Sequence, residues 1–113
     1  GFLVPLGNDL LYADVIERSG FELILVAADR LGAINTALLT VEAARKRNIR
    51  IAGVILNGTP PSDLRNAAAI AQFGHVPLLG EFPTVTDPGG EDADNRLAGI
   101  AEQHIDLQAL MPQ

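Results

Sequence analysis

A chain of 113 residues suffices for one domain and is too short for two, and with 48% hydrophobic residues it can build a packed core rather than stay disordered. A net charge of −6, with no basic run longer than Arg45-Lys46-Arg47, argues against a protein whose main task is neutralising nucleic-acid phosphates. The absence of cysteine excludes disulfides and thiolate metal sites and fits a cytoplasmic protein, and no apolar run approaches the roughly 18 residues that suggest a membrane span.

The first apolar run, residues 1–6 (GFLVPL), reads as a strand. An apolar segment that opens at Gly1 without an initiator methionine looks like the middle of a domain. The expectation is a single partial domain over residues 1–113 that belongs to a longer polypeptide. A short helical pattern follows at 10–19, with Asp9 placed to cap it.

Residues 21–27 (FELILVA) are nearly continuously apolar, as a strand buried on both faces would be. The clearest helix is 33–47, with Ile34, Ala37, Leu38, Val41 and Ala44 on one face and the basic run complementing the helix dipole at its end. A second buried strand is expected at 51–57 (IAGVILN). A helix at 64–73 follows, capped by Ser62 or Asp63 after Pro60-Pro61. Residues 76–82 (VPLLGEF) read as a fourth strand, 94–103 as a helix and 106–110 as a short tail. Between them lies an acidic, Pro- and Gly-rich loop at 83–95, of a length that is usually functional or mobile. Strands alternating with helices imply an α/β parallel sheet with right-handed crossovers.

Ligands in such sheets bind beyond the C-terminal ends of the strands. In "AADRLGAINTALLT", Gly32 can adopt positive φ, and the amides of Ala33, Ile34 and Asn35 have no acceptor within their own helix. They can hold a carboxylate or phosphate with help from the helix dipole, or form an ordinary strand-to-helix turn; both readings stand. In "NGTPP", Asn57 offers a donor and an acceptor to a purine edge, while Asn-Gly is equally a turn dipeptide. Main-chain groups of Pro83, Thr84 and Val85 can line a base or ribose, with Asp87 or Glu91 in reach of a ribose hydroxyl, or belong to an acidic surface loop. Asp14 and Asp29 read as caps or structural acceptors. No Ser/His/Asp grouping or metal-ligand spacing is present, and the chain lacks G-x-x-x-x-G-K-[ST], its only lysine being Lys46. This chain alone is therefore not expected to transfer a phosphoryl group.

The ordered series GFLVPL, YADVI, ELILVAADRLGAINTALLTVEAARKRNIRIAGVILN, NAAAIA and VPLLGEFP resembles dethiobiotin synthetase, over nearly the whole chain and over roughly the C-terminal half of that family. The resemblance implies a P-loop NTPase-like parallel sheet with flanking helices, of which only the C-terminal half is here. It implies closure of a ureido ring on 7,8-diaminononanoate with CO₂ or bicarbonate, ATP and Mg²⁺: a carbamate forms, is phosphorylated and is attacked by the second amine. The enzyme implied is a homodimer with substrate at the subunit interface. Leu31, Gly32, Ala33, Ile34 and Asn35 would hold the substrate carboxylate. Gly1 would be the last glycine of a substrate-side motif whose preceding glutamate binds Mg²⁺. Asn57 and Gly58 would read adenine, and Pro83, Thr84 and Val85 would continue the adenosine contacts. The glutamate of the next turn falls nearest to Glu91. Thr36 stands where a histidine is frequent in the family. The P-loop, the catalytic lysine and the metal-binding acids would lie in the missing N-terminal half, so no catalytic or metal residue is assigned here. The isolated chain is then expected to aggregate or to need that half.

Other readings are a related P-loop amidotransferase-type or acyl-transfer enzyme, such as the cobyrinate amidation enzymes or the N-terminal domain of some phosphotransacetylases, and a non-catalytic dimerisation or binding module.

Overall fold

The computed structural model describes residues 1–60, 65–87 and 89–112. The elements run α1 (Tyr12–Ser19), β1 (Leu23–Ala28), α2 (Ala33–Lys46), β2 (Ile51–Thr59), α3 (Asn66–Gly74), β3 (Leu78–Pro83) and α4 (Ala93–His104), closing with a 3₁₀ turn at Gln108–Leu110. The described strands form one parallel sheet in the order β1-β2-β3. This is the α/β architecture expected, with three strands rather than four.

The missing strand is the segment at residues 1–6. It makes no ladder with β1; its one bridge is an isolated antiparallel contact of Pro5 with Leu11. The carbonyls of Phe2 and Val4 instead accept the amides of Ala13 and Tyr12, at 2.9 and 3.0 Å. Those are first-turn amides with no acceptor inside α1, so the segment caps a helix rather than extending the sheet. The same bonds explain why α1 starts at Tyr12 and not at residue 10. Asp9 is not its cap: the Asp14 carboxylate reaches back and accepts the Leu11 amide at 2.7 Å, the acidic half of a capping box.

The core lies between the sheet and the α2–α3 pair. Ala33, Ala37 and Val41 of α2, Ala67 and Ile70 of α3, and Val54 and Leu56 of β2 are buried together, with Leu25 and Ala27 of β1 packed against them. Alanines on both helices keep the layer thin. On β1 the alternate residues Ile24, Val26 and Ala28 are exposed, Val26 by 60%. The expected two-sided burial of β1 is thus corrected: as an edge strand it is covered on one face only among the described residues.

The basic run binds elsewhere than its own helix end. Arg45 donates to the carbonyls of Gly74 and His75, at 2.5 and 2.8 Å, and so neutralises the C-terminal end of α3. Arg47 pairs with Asp14 and Glu17 of α1, at 2.7 and 2.9 Å. The caps expected for α3, Ser62 and Asp63, lie outside the described residues; the helix itself begins at Asn66.

The Leu11 amide first and then the Arg47 guanidinium hold the Asp14 carboxyl below its ordinary range. A depressed folded-state pKa contributes stability that is present above the unfolded value of 3.8 and is lost as pH falls through the folded one. Asp14→Asn is therefore expected to melt below the parent at neutral pH. Thermal melts against pH should show that gap closing in acid, and a gap independent of pH would exclude the carboxylate as its cause.

Candidate functional site

The C-terminal ends of the three strands open on the same rim of the sheet. After β1 the chain turns through Asp29–Gly32 and enters α2. Gly32 is the N-cap of α2 at φ 92°, in the region that favours glycine, and an added Cβ there would meet nothing within 4 Å. Gly32→Ala should therefore cost backbone strain alone, roughly 1–2 kcal/mol. Urea melts will measure it, and an unchanged midpoint would show that the turn relaxes without penalty.

Of the three amides expected to be free, two are. The Ala33 amide donates to the Arg30 carbonyl at 3.0 Å and closes the turn, whereas those of Ile34 and Asn35 have no acceptor among the described residues. Beside the helix start lies a cleft of about 310 Å³ whose walls include Ala28, Arg30, Leu31, Gly32, Ala33 and Thr36. Leu31 is 99% exposed. The Asn35 side chain is exposed and is not among the cleft walls, so within this chain the cleft is served by Thr36 on the same turn. The Thr36 hydroxyl bonds to the Gly32 and Ala33 carbonyls, at 3.0 and 3.2 Å, and stiffens the helix start. Gly1 lines an adjoining cavity of about 340 Å³, which shares Leu25, Val26 and Thr40 with the cleft. The first residue and the Gly32 turn thus open side by side along β1.

The second group forms across β2 and β3. Their pairing sets Asn57 opposite Phe82 and Thr59 opposite Pro83. Gly58 turns at φ 76°, and its carbonyl accepts the Thr84 hydroxyl at 3.1 Å, while the Thr84 amide donates to Thr59 at 3.3 Å. Asn57, Gly58, Pro83 and Thr84 are therefore brought together, with Val85 following half-buried. The Asn57 side chain is exposed and makes no hydrogen bond among the described residues, so both its donor and its acceptor are available. A cavity of about 550 Å³ opens alongside, walled by Thr59, Pro60, Glu81, Thr84, Thr86 and His104. The Thr59 hydroxyl in that wall is shielded from solvent and has no partner among the described residues.

Glu91 does not join this group through any hydrogen bond; it is exposed in the loop before α4. The loop is instead tied by Arg96, which donates to the carbonyls of Asp87 and Gly89 at 3.0 and 2.6 Å.

Two features escaped the sequence reading. Arg30 stands exposed in the cleft wall with no anionic partner among the described residues, and its only sequence signal is a cation two positions before the helix-opening glycine. The other is a buried polar pair, Asp29 with Asn66, whose separation in sequence gave no signal.

The Asn57 cluster offers a free carboxamide, and the neighbouring cavity is walled by Thr59, Pro83 and Thr84 of the same two strand ends, without Asn57 itself. Mg²⁺ does not fit: among the described residues no three carboxylates or histidines gather to hold a cation. No helix among them is long and apolar enough to cross a membrane.

A family model described as an AAA domain matches residues 1–92. Among curated proteins, the ATP-dependent dethiobiotin synthetase BioD of Bacillus subtilis (strain 168) is 37% identical over 117 aligned positions, covering 100% of this chain and 49% of its own length. The enzyme of the same name from Aromatoleum aromaticum is 43% identical over 104 positions, with 88% and 46% covered. That of Lawsonia intracellularis is 41% identical over 83 positions, with 74% and 40% covered. The chain spans about half the length of the curated relatives it matches. These matches bear out the resemblance carried by the motif series.

Proposed function

From the premise that the chain belongs to the AAA-domain family, with its P-loop NTPase-like α/β fold, we propose that it is the adenine- and carboxylate-binding part of a dethiobiotin synthetase. The complete protein would close a ureido ring on 7,8-diaminononanoate with CO₂ and ATP, in biotin biosynthesis. One observation carries the reading. The two motif sites follow the ends of neighbouring parallel strands and are tied by the bond from the Asp29 amide to the Asn57 carbonyl, at 2.8 Å. A nucleotide read at Asn57 and a carboxylate held at the α2 start would then lie across one rim of one sheet.

In this reading the amides of Ile34 and Asn35 bind the substrate carboxylate, assisted by the α2 dipole, with Gly32 giving close backbone approach and Leu31, Ala33 and Gly1 completing the surroundings. Asn57 and Gly58 take the adenine edge, and Pro83, Thr84 and Val85 line the adenosine. Glu91 is retained as a candidate contact to the ribose. ATP supplies the phosphoryl group that activates the carboxylated amine. This chain holds the two reactants and presents no group for that transfer, so alone it would be inactive. The P-loop, the lysine and the acids for Mg²⁺ would come from the rest of a protein about twice this length, and residues 1–113 would be part of one larger domain. The Asn35 side chain is exposed and is not among the walls of its own chain's cleft, which favours use of the helix start by a second subunit in a homodimer. A cytoplasmic enzyme accords with the substrates.

The test is an assay of the complete protein with 7,8-diaminononanoate, bicarbonate, ATP and Mg²⁺. Dethiobiotin, ADP and phosphate in equal amounts are expected. ATP binding without turnover would favour the binding-module reading. Glutamine-dependent amidation would move the protein to the amidotransferase group. A complete sequence without G-x-x-x-x-G-K-[ST] would also overturn the assignment.

A further inference from the structure

The buried polar residues among the described ones are Asp29 and Asn66, and they bond to each other. Asp29 follows the last residue of β1, and Asn66 is the first residue of α3. One hydrogen of the Asn66 amide goes to Asp29 Oδ1 at 2.8 Å, and the same nitrogen reaches the Arg30 carbonyl at 3.2 Å. A carboxamide nitrogen has two hydrogens, so these two acceptors use it completely. The Arg30 carbonyl also accepts the Ala33 amide, which fills its second lone pair. Asp29 in turn donates its own amide to Asn57.

Asn66 is thus the side chain that fixes the turn between β1 and α2 from beneath. The turn has no other side-chain support among the described residues apart from the Thr36 hydroxyl at its far end. Its shape sets where the Ile34 and Asn35 amides and the Arg30 side chain stand. We propose that Asn66 is a positioning residue for the carboxylate-holding turn, acting through Asp29 and the Arg30 carbonyl; this rests on the functional reading above. A buried carboxylate also explains why an amide and not an apolar residue stands at position 66, since an unpartnered Asp29 would be strongly unfavourable. A role confined to the fold would need only the bond to Asp29. The bond to Arg30 is the one that reaches the site.

Exchanging the two side chains separates these bonds. In the Asp29→Asn/Asn66→Asp double variant, the amide at 29 donates to the carboxylate at 66, so the buried pair persists. A carboxylate at 66 cannot donate to the Arg30 carbonyl and sets an acceptor against it, so the bond to the turn is replaced by repulsion while the pair with residue 29 is kept. In the complete protein the swap should melt below the parent but above Asn66→Ala, which leaves Asp29 without its partner. It should raise KM for the diamino carboxylate about tenfold or more, with KM for ATP and kcat changed less than about twofold. Asn66→Ala should raise the same KM and lower the melting temperature as well; it is read well below its own melting point, and serves alone if the swap does not fold. An unchanged diamine KM in a folded variant, or equal rises for diamine and ATP, would overturn the proposal. Hydrogen exchange at the amides of residues 30–35 adds a readout independent of substrate. Faster exchange there, with the far end of α2 still protected, is expected, and unchanged exchange would refute the clamp itself. A parent protein without ring-closing activity would instead refute the functional reading.

Discussion

Replacing Gly80 with alanine is expected to destabilise the protein by about 3 kcal/mol, the upper end of the usual penalty for overpacking. Gly80 lies in β3 where the chain leaving α4 crosses it. An isolated antiparallel bridge joins Gly80 to Ile105, and the Asp106 amide donates to Leu79 at 2.6 Å. A methyl group on Gly80 would overlap the His104 carbonyl oxygen and lie 2.9 Å from the Ile105 Cα. Both are backbone atoms at the end of a helix, so no rotamer change relieves the clash. The end of α4 must lift from β3, and with it His104, which walls the cavity beside the Asn57 cluster. Gly99 is the control. It sits inside α4 with nothing within 4 Å of an added Cβ, and Gly99→Ala should stabilise by about 0.5–1 kcal/mol through helix propensity. Urea melts of both variants should move in opposite directions. A Gly80→Ala midpoint within the spread of surface substitutions would show that α4 does not dock as described.

The elements legible in the sequence were those whose signal is local. Of the α2 face written as Ile34, Ala37, Leu38, Val41 and Ala44, Ala37, Val41 and Ala44 are buried and Ile34 and Leu38 half-buried, because a 3.6-residue period needs no knowledge of partners. The positive φ of Gly32 followed from its place where a strand hands over to a helix. Apolarity alone misread residues 1–6, because what decides between strand and cap is where the Phe2 and Val4 carbonyls find donors, and those lie in α1. Two-sided burial of β1 was overestimated for a related reason: its apolar composition does not say whether a second layer is present. The basic run shows the limit most clearly. Arg45 and Arg47 sit two residues apart, yet one binds the end of α3 and the other binds α1. Asp29 and Asn66 are 37 residues apart, and only the juxtaposition of β1 with α3 makes them a pair. At the candidate site, the Asn57–Thr84 grouping followed from parallel register, whereas Glu91 depended on a loop whose path is set by Arg96.

Asn57→Ala is expected to weaken ATP binding by about 5- to 150-fold while leaving stability nearly unchanged. The separation of the two effects follows from which atoms of Asn57 the fold uses. Its carbonyl accepts the Asp29 amide, a main-chain bond that alanine keeps, and its side chain makes no bond among the described residues. Truncation therefore removes nothing from the folded chain, and thermal melts should move within the range of surface substitutions, about 0.5 kcal/mol. In the complex the carboxamide would serve an adenine edge with one donor and one acceptor. Two lost hydrogen bonds at roughly 0.5–1.5 kcal/mol each give the stated range. Selectivity supplies the sharper readout. Guanine carries an acceptor where adenine carries its exocyclic amino donor, so a carboxamide held in the complex with its oxygen toward that position accepts one base and repels the other. Alanine has no such preference, and the ratio of ATP to GTP affinity should collapse toward unity. Asn57→Asp keeps the acceptor, loses the donor and adds a charge, so it should bind ATP no better than alanine does. Titration of the complete protein with both nucleotides decides the matter: an Asn57→Ala variant that keeps the parental preference for ATP would mean the base is read elsewhere, and would detach the β2 end from nucleotide recognition.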